Sequence, residues 1–187
     1  MKNVVVFFAT GFEEVEGLAV VDILRRAGVS VDICSLNGEY VTGSHNITIK
    51  SDILIENIDI DKYHCIVLPG GLPGATNLRD DKRIIEFVQK FDKEGKFVAA
   101  ICAAPIVLEK ADIIRDRAVT SYPGSLENSE KFNYKEEVVV RSENLITSRG
   151  PATVLEFAYN ILEAMDLKDK ANLLREAMMV NFYNKNI

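Results

Sequence analysis

The 187-residue chain has no tryptophan, only two histidines (His45 and His64) and only three cysteines (Cys34, Cys65 and Cys102). The cysteines are far apart and odd in number. There is no C-x-x-C pair and no Cys/His cluster, so the ligand spacing of a zinc site is missing. A disulfide framework is excluded on the same ground, and scattered thiols predict a reducing, cytoplasmic setting. A basic excess is missing too. The 22 Lys+Arg against 28 Asp+Glu leave a net charge of −6, the wrong sign for displacing phosphate counterions, so no nucleic-acid partner is expected. The apolar run Val4–Phe8 is far shorter than the ~20 residues of a membrane span, and no membrane partner is expected. No repeat, low-complexity tract or Pro/Gly/Ser-rich linker divides the chain, which predicts one domain over residues 1–187. The dinucleotide fingerprint G-x-G-x-x-G is absent, and a flavin site has only Ala9-Thr10-Gly11 in its favour. The expectation is therefore no metal and no cofactor.

What is present is an alternation of short apolar runs with amphipathic stretches. Val4–Phe8, Val29–Cys34, Cys65–Leu68, Phe97–Ile101, Val138–Val140 and Leu145–Thr147 read as strands. Three of them, Val4–Phe8, Cys65–Leu68 and Phe97–Ile101, are almost wholly apolar, the pattern of parallel strands covered on both faces. Between them, Glu13–Ala27 predicts a helix with Val15, Leu18, Ala19 and Ile23 near one face and Gly28 as its stop. Asp81–Glu94 predicts a second, ending at Gly95, and Ala152–Met165 a third, with Pro151 at its start where a missing N–H does no harm. Asp169–Val180 predicts one last amphipathic helix, and Gly38–Lys50 a hairpin with Asn37-Gly38 as a turn. The alternation predicts an α/β doubly wound sandwich, with a mostly parallel sheet, helices on both faces and a small hairpin. Ligands in such sheets bind beyond the carboxyl ends of the strands. That singles out the loops Ala9–Glu16, Pro69–Thr76, Cys102–Pro105 and Thr147–Thr153.

Each of these loops has a chemical and a plain structural reading. Cys102 ends an apolar strand and is followed by two alanines and Pro105, a strand–turn–helix corner with a nucleophile at its tip. The sharp turn predicts a strained backbone, and the adjoining helix start predicts a lowered thiol pKa. A free cysteine is more often a buried structural one, and the local sequence leaves both readings open. Gly70 and Gly71 can turn backbone N–H groups toward a ligand and, with the Ala103 amide, make an oxyanion hole; they also suit any tight loop. Glu13, Glu14 and Glu16 suit the positive end of a helix. One of them pointing inward, protonated and with a raised pKa, can hydrogen-bond a thiolate. Thr147–Thr153 reads structurally as the start of a helix.

Together the Ala-Ala-Ile-Cys-Ala elbow, the Leu-Pro-Gly-Gly loop, the Gly-x-Glu-Glu-x-Glu opening and the Thr-Ser-Arg-Gly-Pro run resemble the DJ-1/ThiJ/PfpI family of the glutamine amidotransferase-like superfamily. The match runs from Asn3 to Leu162 in order and is closer to the DJ-1 branch than to the PfpI-type proteases. The resemblance implies a flavodoxin-like fold and a homodimer. It implies that Cys102 is the reactive cysteine, that Glu16 is the acid paired with it, and that Gly71 and Ala103 supply the oxyanion amides. Gly70, Tyr122, Arg149 and His45 fall at the pocket. Tyr122 stands where human-type relatives carry a histidine, so a Cys–His pair is missing and peptidase chemistry is weakened, since tyrosine titrates only near pH ~10. His45 matches an arginine near the pocket rim and dimer contact, although a surface hairpin histidine is the plainer reading. Glu14 acquires no catalytic role, and His64 reads as a loop residue.

The function this implies is a cysteine-dependent stress-protection protein acting on small aldehydes or on glycated protein and nucleotide groups, by glyoxalase-type or deglycase-type chemistry. The alternative is a non-catalytic redox sensor or chaperone whose Cys102 is oxidised to a sulfinate. A PfpI-type peptidase or amidase comes third.

Overall fold

The computed structural model describes residues 2–126 and 132–186. Its elements follow the expected alternation. Strands are β1 (Asn3–Phe8), β2 (Ser30–Ser35), β3 (Tyr40–Thr42), β4 (Thr48–Lys50), β5 (Ile53–Leu54), β6 (Cys65–Leu68), β7 (Phe97–Ile101), β8 (Ala118–Val119), β9 (Asn133–Tyr134), β10 (Val139–Ser142) and β11 (Leu145–Ser148). Helices are α1 (Glu14–Arg26), α2 (Gly74–Asp80), α3 (Lys82–Lys93), α4 (Pro105–Lys110), α5 (Val154–Ala164), α6 (Lys168–Ala177) and α7 (Val180–Lys185).

A seven-stranded sheet runs in the order β10-β11-β7-β6-β1-β2-β5. Its pairings are parallel except for β10 on β11, which a short turn joins antiparallel. Side chains alternate across the sheet. Val4, Val6 and Phe8 of β1 point into a core with α1 and α5, while Val5 and Phe7 point into a second core with α3 and α4. Helices thus cover both faces, which is why β6 and β7 are continuous in apolar residues. From β1 the chain winds outward through β2 in one direction and through β6, β7 and β11 in the other. The strand order reverses between β1 and β6, the point beyond whose carboxyl ends such sheets bind ligands, and the loop after β7 follows the neighbouring strand.

Four expectations need correction. The buried side of α1 is set by Glu14, Glu16, Gly17, Val20, Val21, Ile23 and Leu24, and Val15 is exposed. The helix is rotated because Gly17 sits against Phe8, where a Cβ would lie 2.4 Å from the ring, and this rotation carries Glu16 inward. The hairpin is β3 paired with β4, but its turn is the loop from Gly43 to Ile47, closed by the Gly43 N–H donating to the Ile47 carbonyl at 2.9 Å. Asn37-Gly38 instead joins β2 to β3. The final amphipathic stretch is two helices, because Met179 takes a left-handed φ of 63° between α6 and α7. The loop after β6 contains the additional short helix α2, whose start sits hard against Gly11: a Cβ on Gly74 would lie 2.7 Å from the Gly11 carbonyl oxygen. Among the described residues, no helix is long and apolar enough to cross a membrane.

Candidate active site

β7 runs into Cys102, which holds φ at 63°, a left-handed conformation that costs a non-glycine residue roughly 1–3 kcal/mol. Its neighbours hold it there. The Cys102 amide donates to the Ser148 carbonyl at 3.0 Å, and its carbonyl accepts the Tyr122 amide at 2.8 Å. The Ala104 amide closes the corner on the Ile101 carbonyl at 3.0 Å, and Pro105 opens α4. The strained elbow expected from the sequence is therefore present, tied to the end of β11 and to the loop that follows β8.

Glu16 comes from the first turn of α1 and is fully buried. Its Oε2 accepts the Gly70 amide at 2.9 Å. Oε1 has no hydrogen-bond partner under ordinary geometry among the described residues, while the carboxyl as a whole interacts directly with the Cys102 thiol. Gly70 is needed at this spot. A Cβ there would lie 2.6 Å from Glu16 Oε2 and 2.7 Å from Cys102 Cβ. Gly71 is needed for its φ of 85°, and a Cβ on it would strike the Glu13 amide at 2.3 Å. In this conformation the amides of Gly71 and Ala103 both face the sulfur. Glu13 caps α1, accepting the Glu16 amide at 2.7 Å. Its own amide donates to the Gly70 carbonyl at 2.9 Å and locks the glycine loop to the start of the helix.

The electrostatics differ from expectation in one respect. Burial pushes the Glu16 pKa up; bonds from Cys102 and Gly70 work against this and Glu13 adds to it, and the result is about 7. This is the raised acid the sequence predicts. The thiol is not lowered. Burial first, and then the charge and hydrogen bond of Glu16, push Cys102 up to about 12, against the smaller opposite pull of the Ala103 and Gly71 amides. A helix of six residues beside a 9% exposed sulfur does not offset desolvation next to a carboxylate.

The other expected pocket residues divide. Tyr122 joins the site through its backbone and leaves its ring half exposed. Arg149 follows β11, its amide donating to Thr153 Oγ1 at 3.3 Å; its buried Nη1 has no partner among the described residues. His45 lies in the hairpin turn, and its ring Nδ1 bonds Glu14 Oε2 at 2.8 Å. It is tied to Glu14, which raises its pKa. Glu14, given no role by sequence reasoning, is a buried anchor. Besides the ring it accepts the His45 amide at 2.6 Å and the Ser44 hydroxyl at 3.2 Å. Burial pushes its carboxyl up, but the bonds from the His45 ring, the His45 amide and the Ile47 amide outweigh this and hold it at about 2. No motif spacing connects partners 31 positions apart, so nothing local in the sequence signals this contact. His64 is a loop residue whose Nδ1 accepts the Asn3 amide at 3.2 Å.

An elbow cysteine facing two amides and a buried acid thus stands at the carboxyl end of a doubly wound sheet. The sequence profile of the DJ-1/PfpI family matches residues 2–164. The chain belongs to the DJ-1/PfpI family. Among its relatives in that family, it is 37% identical over 185 residues to protein dj-1beta of Drosophila melanogaster, covering 97% of this chain and 98% of the relative. It is 32% identical over 163 residues to the glutathione-independent glyoxalase DJR-1.2 of Caenorhabditis elegans, covering 87% of each. The solved structure of oxidized Toxoplasma gondii DJ-1 superposes with a TM-score of 0.91 at 31% identity, over 96% of this chain and 98% of that one.

Proposed function

We propose that this DJ-1/PfpI chain converts reactive 2-oxoaldehydes to hydroxy acids through a covalent adduct on Cys102. The observation that carries the reading is that one sulfur, held at a left-handed corner, meets both a carboxyl of pKa about 7 and two backbone donors. As the sulfur bonds to the aldehyde carbon, its proton passes to the Glu16 carboxylate. The carbonyl oxygen takes the electron pair as an alkoxide facing the amides of Gly71 and Ala103. Glu16 returns the proton and gives a hemithioacetal. Glu16 then moves the proton from the former aldehyde carbon to the neighbouring carbonyl carbon, while the hydroxyl proton of the hemithioacetal passes to that carbonyl's oxygen, leaving a 2-hydroxy thioester. Water cleaves the thioester to the hydroxy acid and restores the thiol. One carbon is oxidised and its neighbour reduced, so the sequence consumes only water. The name of the Caenorhabditis elegans relative supports this chemistry, and a glycated amine or thiol would enter it by leaving as the sulfur takes its place on the adduct carbon. The same reading includes a homodimer in a reducing cytoplasm, supported by family membership and by three free cysteines.

A second reading, redox sensing, draws on the same amides and on the unpartnered Glu16 Oε1, which suit the oxygens of a sulfinate. A separate experiment tests each. Metal-free methylglyoxal turnover is expected to vanish in Cys102→Ala, and full turnover by that variant overturns the catalytic reading. Dilute peroxide on the wild type, followed by mass spectrometry, is expected to add two oxygens at Cys102 before Cys34 or Cys65 reacts. Even oxidation of all three removes the sensor.

A further inference from the structure

The amino ends of the strands carry a second cavity, at the end of the sheet away from Cys102. β6, β1 and β2 lie side by side and parallel. His64, Lys2 and Val29 each stand one residue before one of these strands. Together with Gly28, and with Leu167 and Lys170 at the start of α6, they line a cavity of about 360 Å³.

The charge around this cavity is of one sign. Lys2, His64 and Lys170 line it, and no carboxylate does. Among the described residues neither of these lysines is in an ion pair, whereas Lys50, Lys62, Lys90 and Lys96 each are. In a chain of net charge −6 this is a local reversal.

Bonds to the fold leave the donors free for a ligand. Lys170 Nζ donates to the Ala27 carbonyl at 2.7 Å, which offsets the negative end of α1. The same bond holds the ammonium beside Gly28, 3.5 Å from where a Cβ on that glycine would sit. An ammonium has three donors, so two remain. His64 Nδ1 accepts the Asn3 amide at 3.2 Å, which keeps the ring proton on Nε2 and leaves that nitrogen a donor whether the ring is neutral or charged. Lys2 spends no side-chain donor on the described residues.

Two ammonium groups and one N–H thus come from three separate segments. A tetrahedral dianion can spread its oxygens over all three, whereas a carboxylate brings two oxygens and one charge. Val29 and Leu167 add an apolar flank, and the volume leaves room for an organic group on the anion. We propose that this cavity binds the phosphate group of inorganic phosphate or of a phosphomonoester. The site stands independently of the carbonyl chemistry at Cys102.

The test is a titration of the isotope-labelled protein, followed by NMR of its backbone amides at constant ionic strength. The titrants are inorganic phosphate, phenyl phosphate, acetate and chloride, at a pH of about 7.5, where a phosphate group carries nearly two charges. Saturating shifts with phosphate are expected at Asn3, Val29, His64 and Lys170, while Gly71, Cys102 and Ala103 stay in place. Lys2→Ala and Lys170→Met are each expected to raise the half-saturating concentration by about threefold, the loss of one exposed charge pair. Lys170 is exposed and Lys2 partly so, and both variants are expected to fold. His64→Asn keeps an acceptor for the Asn3 amide, removes the Nε2 donor and is expected to weaken binding as well. Tighter binding of phenyl phosphate than of inorganic phosphate assigns the site to an ester, and the reverse assigns it to the free ion. Shifts no different from those with chloride, acetate saturating as readily as phosphate, or a half-saturation unmoved in both lysine variants overturns the site.

Discussion

Glu16 and Cys102 share a desolvated corner that tolerates one negative charge more readily than two. Burial raises both groups, so the carboxyl ionises first, at about 7, and its charge then holds the thiol up to about 12. The sulfur is therefore a poor free thiolate and a good partner for a base already in place. In the proposed reaction its proton leaves as a new bond forms, into a carboxylate matched to neutral pH. Alkylation of Cys102 by iodoacetamide is expected to show an inflection near pH 7, where the pair first loses a proton. Glu16→Gln is expected to abolish that inflection and to slow alkylation at pH 8 by at least ~tenfold. Superimposable profiles for the two proteins would remove Glu16 from the chemistry. Gly70 has its own part at this scale, since it lets a carboxylate, a thiol and an amide meet where any side chain would separate them.

At the scale of elements, the β3–β4 hairpin is joined to the site through the start of α1. The Gly11 amide donates to the Thr42 carbonyl and the Ser44 amide to the Phe12 carbonyl, each at 2.8 Å. Glu14 gathers the turn with its carboxylate. The same Gly11–Glu13 stretch holds the glycine loop, so hairpin, helix start and glycine loop form one connected layer. Removing a buried acceptor that several donors share costs about 1–3 kcal/mol. Glu14→Ala is accordingly expected to speed hydrogen exchange across the hairpin, residues 43–50, while β6 and β7 stay protected. Equal acceleration in α6, far along the chain, would show a general loss of stability and no specific tether. The rotation of α1 belongs to this scale as well. Its apolar residues alone favour a face through Val15, but the close approach of Gly17 to Phe8 buries a different side.

For the whole molecule, the two buried glutamates give stability opposite dependences on pH. The folded-state pKa of Glu16 is raised from 4.5 to about 7, so its favourable contribution is complete below pH 4.5 and is lost as pH rises through 7. Across that window the loss is about 3 kcal/mol. Glu14 is lowered from 4.5 to about 2, so its contribution is present above pH 4.5 and is lost as pH falls toward 2. Glu16→Gln is neutral throughout and retains a donor and an acceptor. Its unfolding free energy relative to the wild type is expected to climb between pH 5 and pH 8, read as a growing difference in Tm. A difference that stays flat across that range would mean that Glu16 is not raised in the folded protein.

Much of the fold was legible in the sequence. Cys65–Leu68 and Phe97–Ile101 coincide with β6 and β7, since a strand covered on both faces must be apolar throughout. Gly28 and Gly95 end their helices with positive φ, as a left-handed stop requires. The elbow at Cys102, the glycine loop and the glutamates after β1 were also legible, because the corners of a doubly wound sheet demand particular residues at fixed offsets along the chain. Local pattern was insufficient where the answer depended on contact across the fold. The direction of the thiol shift, the tie between Glu14 and the hairpin, the rotation of α1 and the break at Met179 all fall in that class. By itself the sequence determined the order of elements and the place of Cys102 at the strand–helix corner, since periodicity and turn chemistry are properties of neighbours along the chain. Tertiary structure alone decided where the proton rests between Glu16 and Cys102, a pair the family resemblance already implied, because desolvation and short-range charge are properties of neighbours in space.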